Sequence, residues 1–519
     1  MLAFELFIKF VVLYCVQGVE DVLRNPNLPK EHLSFYYNTF PDAKKHCLND
    51  KKCVNRDFLK SDKYDSEACW GFEEDCGKKN AFQRPECAKV FEGQNDPEET
   101  FYSQADFGYV KIQKEELQSY CKPKYTQDSS LVCTKYLRYC KGRHIMIDFI
   151  DLLNKKEPLR YDMDVLSKGQ ITGHCKLQKS KLNQEIDHLG ALQSWAPELR
   201  FFEEHRNVID GETCDVVVKE PTYIMKIDAT YNMYHHFCDF FNLYMSLFLN
   251  QSQPDAFQNN RRILIWETYN YDSPFADTFK AFTDKPVWTL NSFKGKKVCF
   301  ETVVLPLLPR LIFGLYYNTP LISGCEKSGV FRAFSEFVLH RLEVPKIPQK
   351  VKRVRVTILI RRTKYRQILN VEELLDKLYS NLKYDVRAVS FERGITFKDQ
   401  LKIVRNTDVL IGMHGAGLTH LLFLPNWATL FELYHCEDPN CYKDLSRLRG
   451  INYITWEDDG KLVRQDSGHH PEVGAHAKFT NYSFDKDEFA RLVEKAANSV
   501  LQNQEYRQFI KDNRINDEL

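Results

Sequence analysis

From residue 353 to about 456 the chain alternates short β-branched runs with segments of helical period, and this alternation restricts the fold more than any other feature. Val354-Arg-Val-Thr-Ile-Leu-Ile360 reads as a buried strand, because Val and Ile suit a sheet covered on both faces. Asn370 stands where it can cap Val371-Glu-Glu-Leu-Leu-Asp-Lys-Leu378, whose apolar residues recur at helical spacing. Tyr384 to Phe391 then reads as strand, Phe397 to Val404 as helix, Asp408-Val-Leu-Ile411 as strand, Leu418 to Leu424 as helix and Thr429-Leu-Phe-Glu-Leu433 as strand. Repeated β-α units of this kind build a doubly wound sheet with ligands outside the carboxyl ends of its strands.

Between residues 151 and 350, the apolar runs Asp215-Val-Val-Val218, Arg262-Ile-Leu-Ile-Trp266 and Thr302-Val-Val-Leu305 alternate with helical stretches, which predicts a second lobe of similar type. Residues 19–150 are polar and Cys-rich, with spacings that fit neither a zinc ribbon nor a finger, so that segment reads as disulfide-stapled. The expected class is therefore α/β: a stapled N-terminal segment over 19–150, Rossmann-like lobes over 151–350 and 351–500 with a cleft between them, and a tail over 501–519. Lys plus Arg at 72 against Asp plus Glu at 71 gives a net charge of +1, so no global field recruits nucleic acid or anionic lipid.

The two termini read as an address. Phe10-Val-Val-Leu-Tyr-Cys-Val16, preceded by Lys9 and followed by Gln17-Gly18, has the form of a signal peptide over 1–18, with an ordinary first strand as the rival reading. Asn516-Asp517-Glu518-Leu519 is a close variant of the Lys-Asp-Glu-Leu and His-Asp-Glu-Leu signals that a retrieval receptor reads, which points to the lumen of the endoplasmic reticulum. The most apolar later stretch, Val303 to Ile322, is broken by Arg310, Pro306, Pro309 and Pro320, so no membrane insertion is expected. Asn250 and Asn481 open sequons suited to that compartment. Of sixteen cysteines, loss of Cys15 with the leader leaves an odd number. Cys238 is the candidate unpaired thiol, and Cys436 and Cys441 are close enough to bridge.

Met413-His414-Gly415-Ala416-Gly417-Leu418-Thr419-His420 falls between a predicted strand and a predicted helix, where glycines admit a phosphate and the helix start offers N–H groups. It lacks the third glycine of the dinucleotide fingerprint, and a plain tight turn is the competing reading. Arg361 and Arg362 end the first strand of the same lobe and add positive charge, whereas Lys364 and Arg366 read as a solvated strand end. Such a site suits a diphosphate leaving group, whose developing charge Arg and amide N–H groups stabilise. Glu432, ending the next strand, either holds ribose hydroxyls or is a buried carboxylate paired with a neighbour.

In the other lobe, Tyr234-His-His-Phe-Cys-Asp-Phe-Phe-Asn242 opens an apolar helix on which His235, Asp239 and Asn242 share one face. A His or Asp there could deprotonate an acceptor hydroxyl; a capping Asp beside a core His is the structural alternative. Zinc is disfavoured, because no third ligand stands at matching spacing.

The runs Ile411-Gly-Met-His-Gly-Ala-Gly-Leu-Thr-His-Leu-Leu-Phe-Leu-Pro425, Met233-Tyr-His-His-Phe-Cys-Asp-Phe240, Tyr317-Asn-Thr-Pro-Leu-Ile-Ser-Gly324 and Cys436-Glu-Asp-Pro-Asn-Cys441 resemble, in order, the EGF-domain-specific O-linked N-acetylglucosaminyltransferases of glycosyltransferase family 61. The resemblance implies a GT-B-like fold, UDP-N-acetylglucosamine as donor, and Ser or Thr hydroxyls of folded EGF repeats, as in Notch-type receptors, as acceptors, with inversion at the anomeric carbon. It implies that His414, Gly415, Gly417 and Arg361 meet the nucleotide diphosphate, with Asp239 as base and His235 orienting it or sharing the role. Relatives carry an Asp-Tyr-Asp triplet where this chain reads Thr283-Asp284-Lys285-Pro286. No metal is therefore required, and Mn²⁺ enters only as a stimulant. Two rival readings stay open: a retained, non-catalytic glycan- or EGF-binding protein, and a transferase with another donor or acceptor.

Overall fold

The computed structural model describes residues 25–515 except 89–95, 187–189, 251–253, 312–313, 315, 317–323, 346–352, 392–393, 471 and 473. The signal peptide, the terminal Asn516 to Leu519 and most of the block from Tyr317 lie outside the described residues.

The first sheet is mixed. β1 (Gln118–Lys122), β2 (Ser130–Cys133) and β3 (Cys140–Asp148) form an antiparallel meander. β4 (Thr222–Met225), β5 (Arg262–Ile265) and β6 (Lys297–Leu305) run parallel with β4 in the middle. β6 lies antiparallel to β3 from Lys297 opposite Asp148 to Leu305 opposite Cys140. The sheet thus runs through residue 150 without a break, joining the Cys-rich segment to the residues that follow it.

Covalent ties do the same. Cys47–Cys53, Cys69–Cys76 and Cys133–Cys140 close local loops, whereas Cys87–Cys325, Cys121–Cys175 and Cys214–Cys299 span long stretches of chain. Cys238 is free, and so are Cys436 and Cys441, so the expected 436–441 bridge is absent. Cys436 turns back on its own strand, with Sγ on the Tyr434 carbonyl at 3.7 Å, while Cys441 leads into a helix. Burial pushes these two thiols up to about 11 and about 12, which leaves them as inert thiols at neutral pH.

Between the sheets runs α1 (Met233–Leu249), buried all round and mostly apolar, as suits a central helix, with His235, Asp239 and Asn242 along one face. All of its residues are buried except Tyr234 and His235. Asn232 caps it, its side-chain oxygen accepting from Tyr234 N at 3.0 Å. α2 (Gly329–Arg341) packs alongside, with Phe331 stacked on Phe241 at 4.2 Å. Buried Asp106 accepts from Gly329 N and Val330 N at the start of α2 and from Phe107 N in the N-terminal segment.

The second sheet is wholly parallel: β7 (Val354–Leu359), β8 (Tyr384–Val389), β9 (Val409–Gly412), β10 (Thr429–Glu432) and β11 (Asn452–Thr455), in the order β8-β7-β9-β10-β11. β7, β9 and β10 are buried throughout, the signature of a sheet covered on both faces. Its helices are α3 (Val371–Tyr379), α4 (Phe397–Arg405), α5 (Cys441–Arg449) and α6 (Lys486–Gln502), with α7 (Gln504–Ile515) closing the described chain. Arg355 fixes β7 against β9, donating from N and Nε to Asp408 Oδ2, both at 2.9 Å. Asn370 does not cap α3; its Oδ1 accepts from Phe484 N at 3.1 Å and its Nδ2 donates to the Phe484 carbonyl, stitching α3 to a distant strand instead. The helix expected over Leu418–Leu424 is a tighter 3₁₀ helix, Ala416–Phe423, that begins directly after Gly415.

Phe237 of α1 packs on Phe397 and Phe423 of the second half, with ring centroids 5.8 and 5.1 Å apart, so one core runs from sheet to sheet. Among the described residues no helix is long and apolar enough to cross a membrane. Of the two sequons, Asn250 donates its amide to Tyr223 OH at 2.8 Å, and Asn481 accepts from Gln367 N at 2.9 Å and donates to Gln465 at 2.8 Å.

Glu336 of α2 accepts from His32 Nε2 and Arg332 Nε, each at 3.0 Å. Burial would raise this carboxyl, but those partners outweigh it and hold it at about 2. The folded form therefore keeps stability above pH 4.5 and loses it as pH falls towards 2. Glu336→Gln should lower the unfolding free energy at pH 7 by roughly 3 kcal/mol and flatten its fall between these values, as read by chemical denaturation across pH.

Candidate active site

The strand order of the second sheet reverses between β7 and β9, and a crevice opens outside the carboxyl ends of strands at such a point. A cavity of about 940 Å³ lies there. Arg361, Arg362, Ala416, Gly417 and His420 line one side; Tyr231, Met233 and Asp272 to Phe275 line the other.

Gly415 is what lets the turn form. Its φ of 148° is open to glycine alone, and an added Cβ would stand 2.4 Å from Arg361 Nη1 and 3.2 Å from Arg366 Nη1. Both guanidinium groups therefore press on the bare backbone of the turn. Arg366, expected in solvent, instead donates Nη1 to the His414 carbonyl at 3.0 Å, a correction to its reading as a strand-end charge. Lys364 is exposed, as that reading had it. The 3₁₀ helix starts at Ala416, and its first amides have no partner within the helix.

Arg361 and Arg366 have no carboxylate beside them among the described residues, and the Nε of each is buried without a hydrogen-bond partner. Burial, and then the charge of Arg366, lower Arg361 to about 10, still well inside the protonated range at neutral pH. Two half-buried cations, each with an unpartnered Nε, next to helix amides without a partner inside the helix, have the chemistry that suits a multiply charged anion.

His414 and Glu432 sit behind this surface. His414 Nδ1 donates to Glu432 Oε1 at 2.8 Å, and Tyr453 OH donates to Glu432 Oε2 at 2.6 Å. Glu432 is fully buried with both oxygens engaged by His414 and Tyr453. The paired-carboxylate reading is the one its position supports: it orients His414, whose carbonyl Arg366 holds.

On the facing side, the structure assembles a cluster that the sequence did not disclose. Asp228 accepts from His235 Nδ1 at 2.8 Å and from Arg310 Nε and Nη2, each at 2.9 Å. Burial would raise the Asp228 carboxyl, but His235 and Arg310 outweigh it and keep it below the usual carboxylate range. A carboxylate on Nδ1 makes that nitrogen the donor and Nε2 the proton acceptor. His235 is 24% exposed, on the same turn as the cavity-lining Met233.

Asp239 lies beneath. Both of its oxygens stand 3.2 Å from Asp228 N, and burial, then the Asp228 charge, raise its pKa well above the usual range. Asn242 donates to the Leu308 carbonyl at 2.8 Å and is buried away from the cavity. The face read from helical spacing therefore exists, but only His235 reaches its open end. Tyr234 and Tyr442 link the two sides: Tyr442 packs edge-on to His414 at 5.2 Å and to Tyr234 at 6.2 Å.

Among the described residues the one cluster with metal-ligand spacing is Cys69, Glu73 and Cys76, whose cysteines are bonded to each other. At the Asp-Tyr-Asp position, Asp284 lies 3.7 Å from the Lys285 ammonium and lines a separate groove behind the cavity wall, so these residues do not fit a cation clamp on a ligand in the cavity.

Gly415→Ala should displace the Arg361 guanidinium and strain the turn, weakening a nucleoside diphosphate by about tenfold or more in a calorimetric titration while the protein stays folded by circular dichroism.

A family model described as Glycosyltransferase 61 matches residues 143–431, from β3 to β10, and so covers both sides of the cavity. The protein named EGF domain-specific O-linked N-acetylglucosamine transferase in Drosophila melanogaster is 59% identical over 490 residues, which are 93% of this chain and 92% of the fly protein. Proteins of the same name in Mus musculus and Rattus norvegicus are 47% and 46% identical, each over 487 residues, 92% of this chain and 90% of theirs. The chain belongs to the glycosyltransferase 61 family.

Proposed function

We propose that the protein transfers N-acetylglucosamine from UDP-N-acetylglucosamine to Ser or Thr hydroxyls of folded EGF repeats, inverting the anomeric carbon, in the lumen of the endoplasmic reticulum. The donor and acceptor follow the name borne by relatives that align with nearly the whole chain. Six disulfides among the described residues support an oxidising compartment. Opposite walls of one cavity, one at the strand ends of the second sheet and one from the loops and α1 that follow strands of the first, support a GT-B-like reading of the fold.

The observation that carries the reading is the Gly415 turn, where Arg361 lines the cavity and Arg366 stands behind it, each with an unpartnered Nε, across from a wall that begins α1. The donor diphosphate lies against Arg361 and the amides of Ala416 and Gly417. As the bond from the anomeric carbon to the diphosphate oxygen breaks, negative charge grows on that oxygen, and these groups stabilise it. The acceptor hydroxyl attacks from the opposite face, and its proton passes to His235 Nε2. One displacement gives one inversion.

Asp228 holds His235 in the accepting tautomer and stabilises the imidazolium that forms, with Arg310 keeping Asp228 ionised. This gives His235 the base role and leaves Asp239 to fix the Asp228 backbone from below. Leaving-group charge is met by protein cations, so transfer continues in the presence of a chelator and added Mn²⁺ acts as a modest stimulant.

With wild-type protein, UDP-N-acetylglucosamine and a folded EGF repeat, the repeat should gain the mass of one N-acetylhexosamine, and neither mass gain nor UDP release would leave the binding-protein reading standing. His235→Ala should lower kcat by about 10²- to 10⁴-fold with UDP affinity unchanged, whereas Arg361→Ala should lower both the rate, by about 10²-fold or more, and UDP affinity. If Asp239→Asn abolishes turnover while His235→Ala does not, the base is Asp239.

A further inference from the structure

Residues 270–279 form a ridge between two hollows. Asp272 to Phe275 face the donor cavity, whereas Asn270, Tyr271, Ala276 and Phe279 line a second groove of about 830 Å³. The ridge is bolted to the first turn of α1. Tyr271 OH donates to His236 Nδ1 at 3.3 Å, and His236 Nε2 donates to Thr278 Oγ1 at 3.1 Å. The Thr278 hydroxyl proton is committed to the Phe275 carbonyl at 2.8 Å, which fixes this tautomer. Burial lowers His236 to about 3, so the bolt stays neutral at any physiological pH. The groove wall is therefore held in a set position relative to His235, the neighbouring residue.

Exposed aromatic surface flanks the ridge, Tyr231 on the side of the donor cavity and Tyr269 one residue before the groove-lining Asn270. Tyr231 is 57% exposed and Tyr269 44% exposed. The Tyr231 hydroxyl donates to Asp272, and Ser273 Oγ donates to the Thr230 carbonyl at 2.6 Å, so the loops carrying these rings are tied together. Rigid, exposed tyrosines contribute large contact area at small entropic loss and recur as interface anchors.

The groove combines the apolar surfaces of Phe279, Pro286 and Val287 with the charged Lys280, Asp284 and Lys285. Lys280 is paired with Asp277 at 2.6 Å and Lys285 with Asp284 at 3.7 Å, so the rim presents no uncompensated cation for a phosphate or polyanion. An apolar floor inside a neutral polar rim is the anatomy of a protein interface.

We propose that this groove, together with the exposed Tyr269 next in sequence to its lining residue Asn270, seats the body of the folded acceptor domain while the domain's hydroxyl crosses the ridge to His235. The inference rests on the acceptor reading above and adds to it the surface that recognises a folded domain rather than a bare hydroxyl. An isolated serine or a short peptide would leave the groove empty.

The test uses the full-length enzyme and two variants outside the donor cavity, Ala276→Arg, which fills the groove, and Tyr269→Ala, which removes the anchor. Each should raise KM for the folded EGF repeat about tenfold or more, with kcat, KM for UDP-N-acetylglucosamine and acceptor-independent UDP release unchanged and with Ala276→Ser behaving as wild type. A wild-type acceptor KM in both variants overturns the proposal, as does an equal rise in donor KM. It is also overturned if a free oligosaccharide competes with the repeat in wild type and no longer does so in Ala276→Arg, since the occupant would then be a glycan. Failure of the wild type to modify any folded repeat would strike the catalytic reading instead, and that control is read before the variants are compared.

Discussion

Two arginines pressed against one glycine set the terms for the rest of the molecule. Arg361 and Arg366 converge on Gly415, each with a buried Nε that no neighbour satisfies. Like charges brought together and taken out of water are unfavourable, and the lowering of Arg361 reflects both effects. The fold holds them there with rigid supports. Arg355 and Asp408 lock β7 to β9, and Glu432 grips His414, whose carbonyl restrains Arg366. In the proposed complex the donor diphosphate lies against Arg361 and offsets the repulsion between the two guanidinium groups.

The opposite wall is built on the same logic with the sign reversed. Asp228 is a buried carboxylate held ionised by Arg310 and His235. Because α1 is buried along its length and packs on both halves through Phe237, the position of its His235-bearing end relative to the second half is fixed by a shared core. Rigidity of this kind is what positions reacting groups for displacement.

The second sheet was legible in the sequence because each parallel strand is a β-branched run and each helix repeats its leucines, so both signals are local. Gly415 and Arg361 were legible for a similar reason: a turn and a strand end announce themselves by position. What stayed hidden depends on contacts between distant residues. Asp228 and Arg310 are 82 residues apart and meet only in the fold. The pairing of β3 with β6 carries the first sheet across residue 150, and no local pattern encodes an antiparallel partner so remote. The Cys436–Cys441 expectation failed because closeness in sequence does not fix the direction of a thiol, and Asn370 found a better partner in Phe484 than in the helix it precedes.

Comparison of UDP with uridine in calorimetric titrations of the wild-type protein tests the central claim most directly, because the two ligands differ only in the diphosphate proposed to lie against Arg361. UDP should bind at least about 100-fold more tightly than uridine, with the difference shrinking as salt is raised. Equal affinities for the two would contradict the account.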